Sequence, residues 1–396
     1  MSFEKLASSV KTLQSSAIRE LLKHSKMDGV ISLGGGIPNP ELFDHEGLQI
    51  AMDRVLTHDR HDAFQYGLSE GDTQLRELIC GIVARRGISC TPDDVVITSG
   101  SQQSLDILAR GLINPGDTVV VERPTYLAAL QVFQLAQAQL KSVGTDGEGM
   151  IVDELEELVK QHAIKAVYIV PTFGNPGGVT LSDARRQQLV ALAQKYDFLI
   201  IEDDPYSEIN FTNETFRTLK SWAQASDAAE NVIYTSTFSK ILAPGARVGW
   251  IIMPRWLKQP VVNLKQATDL HTSSLSQALT RRYLETGRLQ TQIDIIRQAY
   301  SKKCDVLSSA MKQELSDHIT FHQPRGGMFL WATFKYPFNT TAWLATTLNN
   351  GVVYVPGEFF YCDSPDTATL RLSYVSVSET HLAEAVQRLK ASLPAG

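Results

Sequence analysis

The chain has 396 residues, enough for one large domain with a smaller one beside it. Its 43% hydrophobic and 20% charged residues, with only 26 glycines and 16 prolines, exclude extended disorder. A net charge of −6 argues against a nucleic-acid partner, because neutralising phosphates takes a clustered excess of Lys and Arg.

The opening "MSFEKLASSVKTLQSSAIRELL" lacks the continuous apolar run of a secretion signal, and no later segment approaches the roughly 20 apolar residues that span a bilayer. A cytoplasmic protein is expected. Within this opening, "SSAIRELLKHSK" reads as a short amphipathic helix with Ala17, Ile18, Leu21 and Leu22 on one side. The triple glycine of "LGGGIPNP" is followed by prolines rather than a helix, so it reads as a sharp turn and not as a dinucleotide fingerprint.

From there the chain alternates short Val- and Ile-rich runs with segments of helical period, the pattern of a mostly parallel sheet with helices on both faces. Strands are predicted at 95–98, 118–122, 165–170, 198–202, 231–235 and 247–252, and helices near 71–86, 101–112, 126–138, 152–161 and 182–196. Beyond about residue 260 long helical stretches take over. They are broken by "QPRGGMFLW" and "VVYVPGEFF", which read as strands of a smaller α+β unit. Cys80, Cys90, Cys304 and Cys362 are scattered, with no paired spacing and no neighbouring His cluster, so they read as reduced thiols and no metal site is expected.

Ligands of an open α/β sheet bind beyond the carboxyl ends of its strands. The unusual polar residues of this chain follow those ends: "SGSQQS", "RPTY", "PTFGNPGG", "DDPY" and "STFSK". Each has an ordinary explanation. Ser101 suits a helix cap, Asn175 and Pro176 a turn, Tyr126 and Tyr206 packing, and Lys240 and Arg247 a solvated loop. Five such ends in succession make the ordinary explanations hard to sustain together. An anion cradle, an acid, aromatics and a lysine converging on one crevice suit carbonyl condensation with a phosphorylated cofactor. A lysine with an unperturbed pKa of about 10.4 needs a dry pocket or a nearby cation to free its lone pair, and Arg247 is the expected cation.

These segments, with "SLGGGIPNPELF", "QYGLSEGDTQLRELI", "TFSKILAPGARVGW", "GGMFLW" and "LRLSY", resemble in order and spacing the fold type I aminotransferases that use pyridoxal 5′-phosphate. The subgroup of 2-aminoadipate and kynurenine aminotransferases is the nearest likeness, and it covers nearly the whole chain. The resemblance implies an N-terminal arm with part of the small domain at 1–45, a large cofactor-binding domain at 46–285 and a C-terminal small domain at 286–396.

It also implies roles. Lys240 joins the cofactor's aldehyde and shuttles a proton, Asp203 keeps the pyridine nitrogen protonated, and Asn175 and Tyr206 donate to the ring's phenolic oxygen. Tyr126 stacks on the ring. Ser101, Gln102, Thr237, Ser239 and Arg247 form the phosphate cup, with Tyr66 donated by the other subunit of a homodimer. Arg371 clamps the substrate α-carboxylate, Asn175 and Gly36 lie beside the substrate, and Arg19 reaches a substrate side chain or else lies on a wet helix face. Gly174 and Gly177 depart from the commoner pattern, which has a larger polar residue and a Thr or Ser there.

The implied activity is transfer of an amino group from an L-amino acid to a 2-oxo acid such as 2-oxoglutarate by a ping-pong route. β-Lyases and decarboxylases share the fold and the lysine, and some transcription regulators carry it as a sensing module behind a DNA-binding region. The start of the likeness by residue 15 and the acidic charge speak against the regulator reading.

Overall fold

A computed structural model of the chain describes residues 5–11 and 27–394. Arg19 and the helix expected around it lie outside the described residues.

After a two-residue strand β1 (Ile31–Ser32) come β2 (Val95–Thr98), β3 (Thr118–Arg123), β4 (Gln139–Asp146), β5 (Gly149–Met150), β6 (Ile164–Ile169), β7 (Leu199–Asp203), β8 (Val232–Thr237) and β9 (Gly249–Ile252). The last eight form one sheet in the order β2-β9-β8-β7-β6-β3-β4-β5. β8, β7, β6, β3 and β4 run parallel, while β9 is antiparallel to both of its neighbours and β5 to β4. The sheet is therefore mixed, with a parallel centre.

Both faces of this sheet are covered, which is why its strands read as unbroken apolar runs. On one face Val119, Val121, Tyr168, Ile201 and Ile233 pack with Leu105 and Leu108 of the helix Ser101–Leu112. On the other, Val120, Val167, Ile200 and Val232 meet Leu155 of Val152–Gln161 and Leu189 of Asp183–Tyr196. Two of these helices, Ser101–Leu112 and Val152–Gln161, have the bounds expected from the sequence. β4 and β5 were not expected, because "QLKSVGTD" is largely polar and half-exposed at the sheet edge. The run predicted at 247–252 begins as a strand only at Gly249, because Arg247 holds a left-handed backbone with φ +51°.

A second sheet comprises β10 (Ile319–Phe321), β11 (Phe329–Phe334), β13 (Val355–Pro356) and β14 (Thr369–Ser373), all antiparallel in the order β10-β11-β14-β13. Between β11 and β13, β12 (Val352–Val353) pairs in parallel with β1. The N–H of Ser373 donates to the Leu33 carbonyl at 2.7 Å. This tie carries Gly34–Gly36 past the end of β14 toward the large sheet. Among the described residues no helix is long and apolar enough to cross a membrane.

Candidate active site

β2, β3, β6, β7 and β8 all point the same way, so Thr98, Arg123, Ile169, Asp203 and Thr237 end on one side of the sheet. The segments that follow them meet there.

At one end of this crevice the helix Ser101–Leu112 starts from Gly100, which has φ +83° and no side-chain cap. A Cβ on Gly100 would lie 2.8 Å from Nη2 of Arg247, and one on Gly249 would lie 2.8 Å from the Gly100 carbonyl carbon and 2.9 Å from the Ser101 nitrogen. Only bare backbone lets β9 and the helix start come this close. Arg247 donates to the Ser99 carbonyl at 3.0 Å, and its left-handed backbone turns its side chain back over the helix start. The hydroxyls of Thr237 and Ser239 are 2.8 Å apart, and the Ser239 N–H donates to Thr237 at 3.1 Å. Ser101 is half-buried, and Gln102 and Arg247 are exposed. Hydroxyls, a guanidinium and a helix N-terminus together fit a phosphate.

Behind this cup lies a network with no counterpart in the sequence motifs. Gln103 accepts the Ser99 N–H at 2.7 Å and donates to Asp269 at 2.7 Å, and Lys265 donates to the same carboxylate at 3.0 Å. These groups are far apart in the chain and carry no local signature.

Asp203, at the end of β7, is 2% exposed. Its Oδ2 accepts the Tyr168 hydroxyl at 2.9 Å, while its buried Oδ1 has no partner. Burial pushes this carboxyl up to about 7, and Asp204 pushes the same way, against the Tyr168 hydrogen bond and Lys240. A buried acceptor left open is costly unless something fills it. A hydrogen-bond donor on a bound group would satisfy it.

Lys240 ends the short 3₁₀ turn Phe238–Lys240. Its amine donates to the Gly36 carbonyl at 3.2 Å and lies 6.0 Å from the centre of the Tyr206 ring. Burial lowers it to about 8, helped by the charges of Arg371 and then Arg247 and opposed by Asp203. Arg247 is the neighbouring cation expected from the sequence. The structure puts burial first and Arg371 ahead of Arg247, because the second sheet brings Arg371 over the crevice.

Arg371 lies on β14 opposite Trp331 and Val355, and is 2% exposed. Nη1 donates to Oδ1 of Asn175 and Nη2 to the Gly34 carbonyl, each at 2.7 Å. The guanidinium carbon lies 4.2 Å from the centre of the Phe329 ring and 5.0 Å from that of Phe360. Burial lowers Arg371 to about 10, so it is still a cation at neutral pH, and its Nε has no partner. An arginine packed against two aromatic rings has little freedom to turn, which suits two-point recognition of a carboxylate. Strand alternation puts Arg371 on the opposite face from Leu370 and Leu372, and both faces are buried.

Burial raises the Tyr206 phenol well above its ordinary value, against the Arg371 charge and a hydrogen bond to Asn175. Tyr126, just before the helix Leu127–Leu135, is pushed up to about 12 by burial and then by Asp203. Both remain proton donors at neutral pH.

The structure thus gathers Ser101, Thr237, Ser239, Arg247, Asp203, Tyr206, Asn175, Tyr126, Lys240, Gly36 and Arg371 around one crevice. Tyr66 is different. It is 79% exposed, edge-on to His271 with ring centres 5.8 Å apart. Tyr168, Gly34, Phe329 and Phe360 were missed in the sequence. A tyrosine hydroxyl among the buried aliphatic residues of β6 was the one available signal, since a buried phenol needs a partner.

Residues 31–389 match the family described as aminotransferase class I and II. Aromatic-amino-acid aminotransferase 1 of Thermococcus litoralis is 40% identical over 383 residues, 95% of this chain and 91% of that protein. Kynurenine aminotransferase of Pyrococcus horikoshii, solved with PMP, superposes with a TM-score of 0.93 at 38% identity, covering 98% of this chain and 96% of that one. LysN, the α-aminoadipate aminotransferase of Thermus thermophilus, solved with N-(5′-phosphopyridoxyl)-L-leucine, gives 0.92 at 32% identity, over 99% and 98% of the two chains.

Proposed function

We propose that this chain, which belongs to the class I and II aminotransferases, moves an amino group from an L-amino acid to 2-oxoglutarate by a ping-pong route. The cofactor is pyridoxal phosphate. The observation that carries the site assignment is the open Oδ1 of Asp203 in the same crevice as a lysine whose amine is half neutral near pH 8.

Asp203 would hold the pyridine nitrogen's proton, Asn175 and Tyr206 would face the phenolic oxygen, and Tyr126 would cover the ring. Ser101, Gln102, Thr237, Ser239 and Arg247 would hold the phosphate. When bound, the cofactor supplies an aldehyde that condenses with amines and a cationic ring that draws electrons from the carbon bearing the amino group. The Arg371 fork grips the α-carboxylate, with Asn175 and the Gly34 carbonyl fixing its plane. The Lys240 amine then takes the Cα proton, and its lowered basicity leaves it free to do so near neutral pH. Donor and acceptor use the same Arg371 in turn, the first leaving as a 2-oxo acid before the second arrives.

A second copy of the chain would complete the site. Phe64, Tyr66 and Leu68 are 65%, 79% and 61% exposed on one short segment, an apolar surface that suits an interface and would carry Tyr66 to the partner's phosphate cup. The four free thiols suit a reducing compartment, and we place the protein in the cytoplasm.

Incubating the cofactor-loaded protein with glutamate and no acceptor tests this reading. One 2-oxoglutarate per site, after which the reaction stops, is the expected result. Continuous release of ammonia, pyruvate or CO₂ from amino acids would point instead to a lyase or decarboxylase. A donor panel assayed with 2-oxoglutarate then identifies the amino acid.

A further inference from the structure

Asp203 and Asp204 are consecutive acids at the end of one strand, and they face opposite ways. Asp203 pairs with Thr235 in the β7–β8 register, and the Asp204 N–H continues that ladder to the Thr235 carbonyl at 2.9 Å. Successive side chains of an extended segment alternate across the sheet. Asp203 accordingly meets Tyr168, whereas Asp204 Oδ2 accepts the Tyr234 hydroxyl at 2.9 Å and Arg86 Nη1 at 3.0 Å. Asp204 Oδ1 accepts from Ser207.

The Arg86 side chain is 8% exposed and that of Asp204 1%. Arg86 also donates to Glu208 Oε1 from Nε at 3.3 Å and from Nη2 at 3.1 Å, and to the Tyr234 hydroxyl. Glu208 is shared with Arg297, whose Nη2 lies 3.2 Å from Oε2. This charge cluster lies behind the cofactor carboxylate, buried at Arg86 and Asp204 and reaching solvent at Arg297. Two carboxylates on adjacent residues in a poorly screened interior repel each other's ionisation. Without a cation beside Asp204, the less well bonded of the two would be the harder to ionise. Asp203 is the one with an oxygen lacking a partner.

We infer that Arg86 is a positioning residue: by cancelling the charge of Asp204 it makes Asp203 easier to ionise, and so readier for the pyridine nitrogen of the cofactor. The inference rests on the proposed role of Asp203. It adds to that role a second carboxylate and a cation lying on the far face of the sheet. The sequence "ARRGI" gives no hint of this, since two adjacent arginines at a helix end are most simply read as solvated.

The test compares the dissociation constants of pyridoxal phosphate and of its analogue with carbon in place of the ring nitrogen, using cofactor-free protein. Wild type should prefer the natural cofactor, because only that one gives Asp203 a partner. Arg86→Met should reduce this preference at least about tenfold, the equivalent of one pKa unit. Arg86→Met with Asp204→Asn should restore it. Asp204→Asn alone should widen it, since the repelling charge is gone and the cation remains.

A purely structural Arg86 would weaken both ligands alike and leave the preference unchanged in Arg86→Met, which would overturn the inference. Should Arg86→Met not fold, Asp204→Asn decides alone: a widened preference supports the inference, and an unchanged or smaller one sinks it. A wild-type protein with no preference would instead remove the role of Asp203 itself, and the inference with it.

Discussion

Replacing Lys240 by methionine should stabilise the cofactor-free protein at neutral pH. The amine drops from its ordinary 10.5 in the unfolded chain to about 8 in the fold, because burial and the Arg371 charge oppose the cation. Folding therefore has to hold a disfavoured charge or expel its proton. The penalty is complete below pH 8 and lifts as pH rises toward 10.5. Linkage puts it at about 3 kcal/mol at pH 7 and under about 1 kcal/mol at pH 10.

Methionine fills a similar volume without charge, but it gives up the hydrogen bond to the Gly36 carbonyl, worth about 1 kcal/mol. The net expectation is a gain of about 2 kcal/mol at pH 7 that disappears near pH 10. Urea denaturation of both cofactor-free proteins at the two pH values measures it. A variant no more stable than wild type at pH 7, or a difference that does not change with pH, would show that the amine is solvated and that the argument for its reactivity is wrong.

Arg371→Lys keeps a cation but loses the fork and the stacking contacts with Phe329 and Phe360, so KM for both donor and acceptor should rise at least about tenfold in steady-state assays. Asp203→Asn removes a charge-assisted hydrogen bond of about 1.5–3 kcal/mol, and single-turnover measurements should show the amino-transfer rate falling about 10- to 100-fold. In Gly249→Ala the new Cβ meets backbone atoms at 2.8–2.9 Å that cannot move separately; thermal unfolding should show a loss of about 1–3 kcal/mol together with weaker cofactor binding. The two glycines beside Asn175 should behave oppositely. A Cβ on Gly177 meets only Val179 Cγ2 at 3.5 Å, so Gly177→Ala should gain about 0.4–1 kcal/mol, whereas on Gly174 it would lie 2.8 Å from the Val170 carbonyl oxygen and destabilise the fold.

The amino-acid order alone determined most of the parallel centre of the large sheet, because strands covered on both faces must be largely apolar, and four of the five were legible as such. It also determined which polar residues sit at their carboxyl ends, since those follow each strand immediately in the chain. The polar edge strand β4 escaped for the converse reason: solvent on one side removes the apolar run.

Tertiary structure decided which charges act on one another. Arg371 reaches Asn175, 196 positions away, only because the second sheet folds back over the first. The Asp204–Arg86 pair spans 118 positions and lies behind the sheet. Hydrogen bonding and desolvation depend on distance and on excluded water, and a one-dimensional pattern records neither. The sequence could therefore single out Lys240, but only the folded chain shows which groups lower its basicity and by what contact.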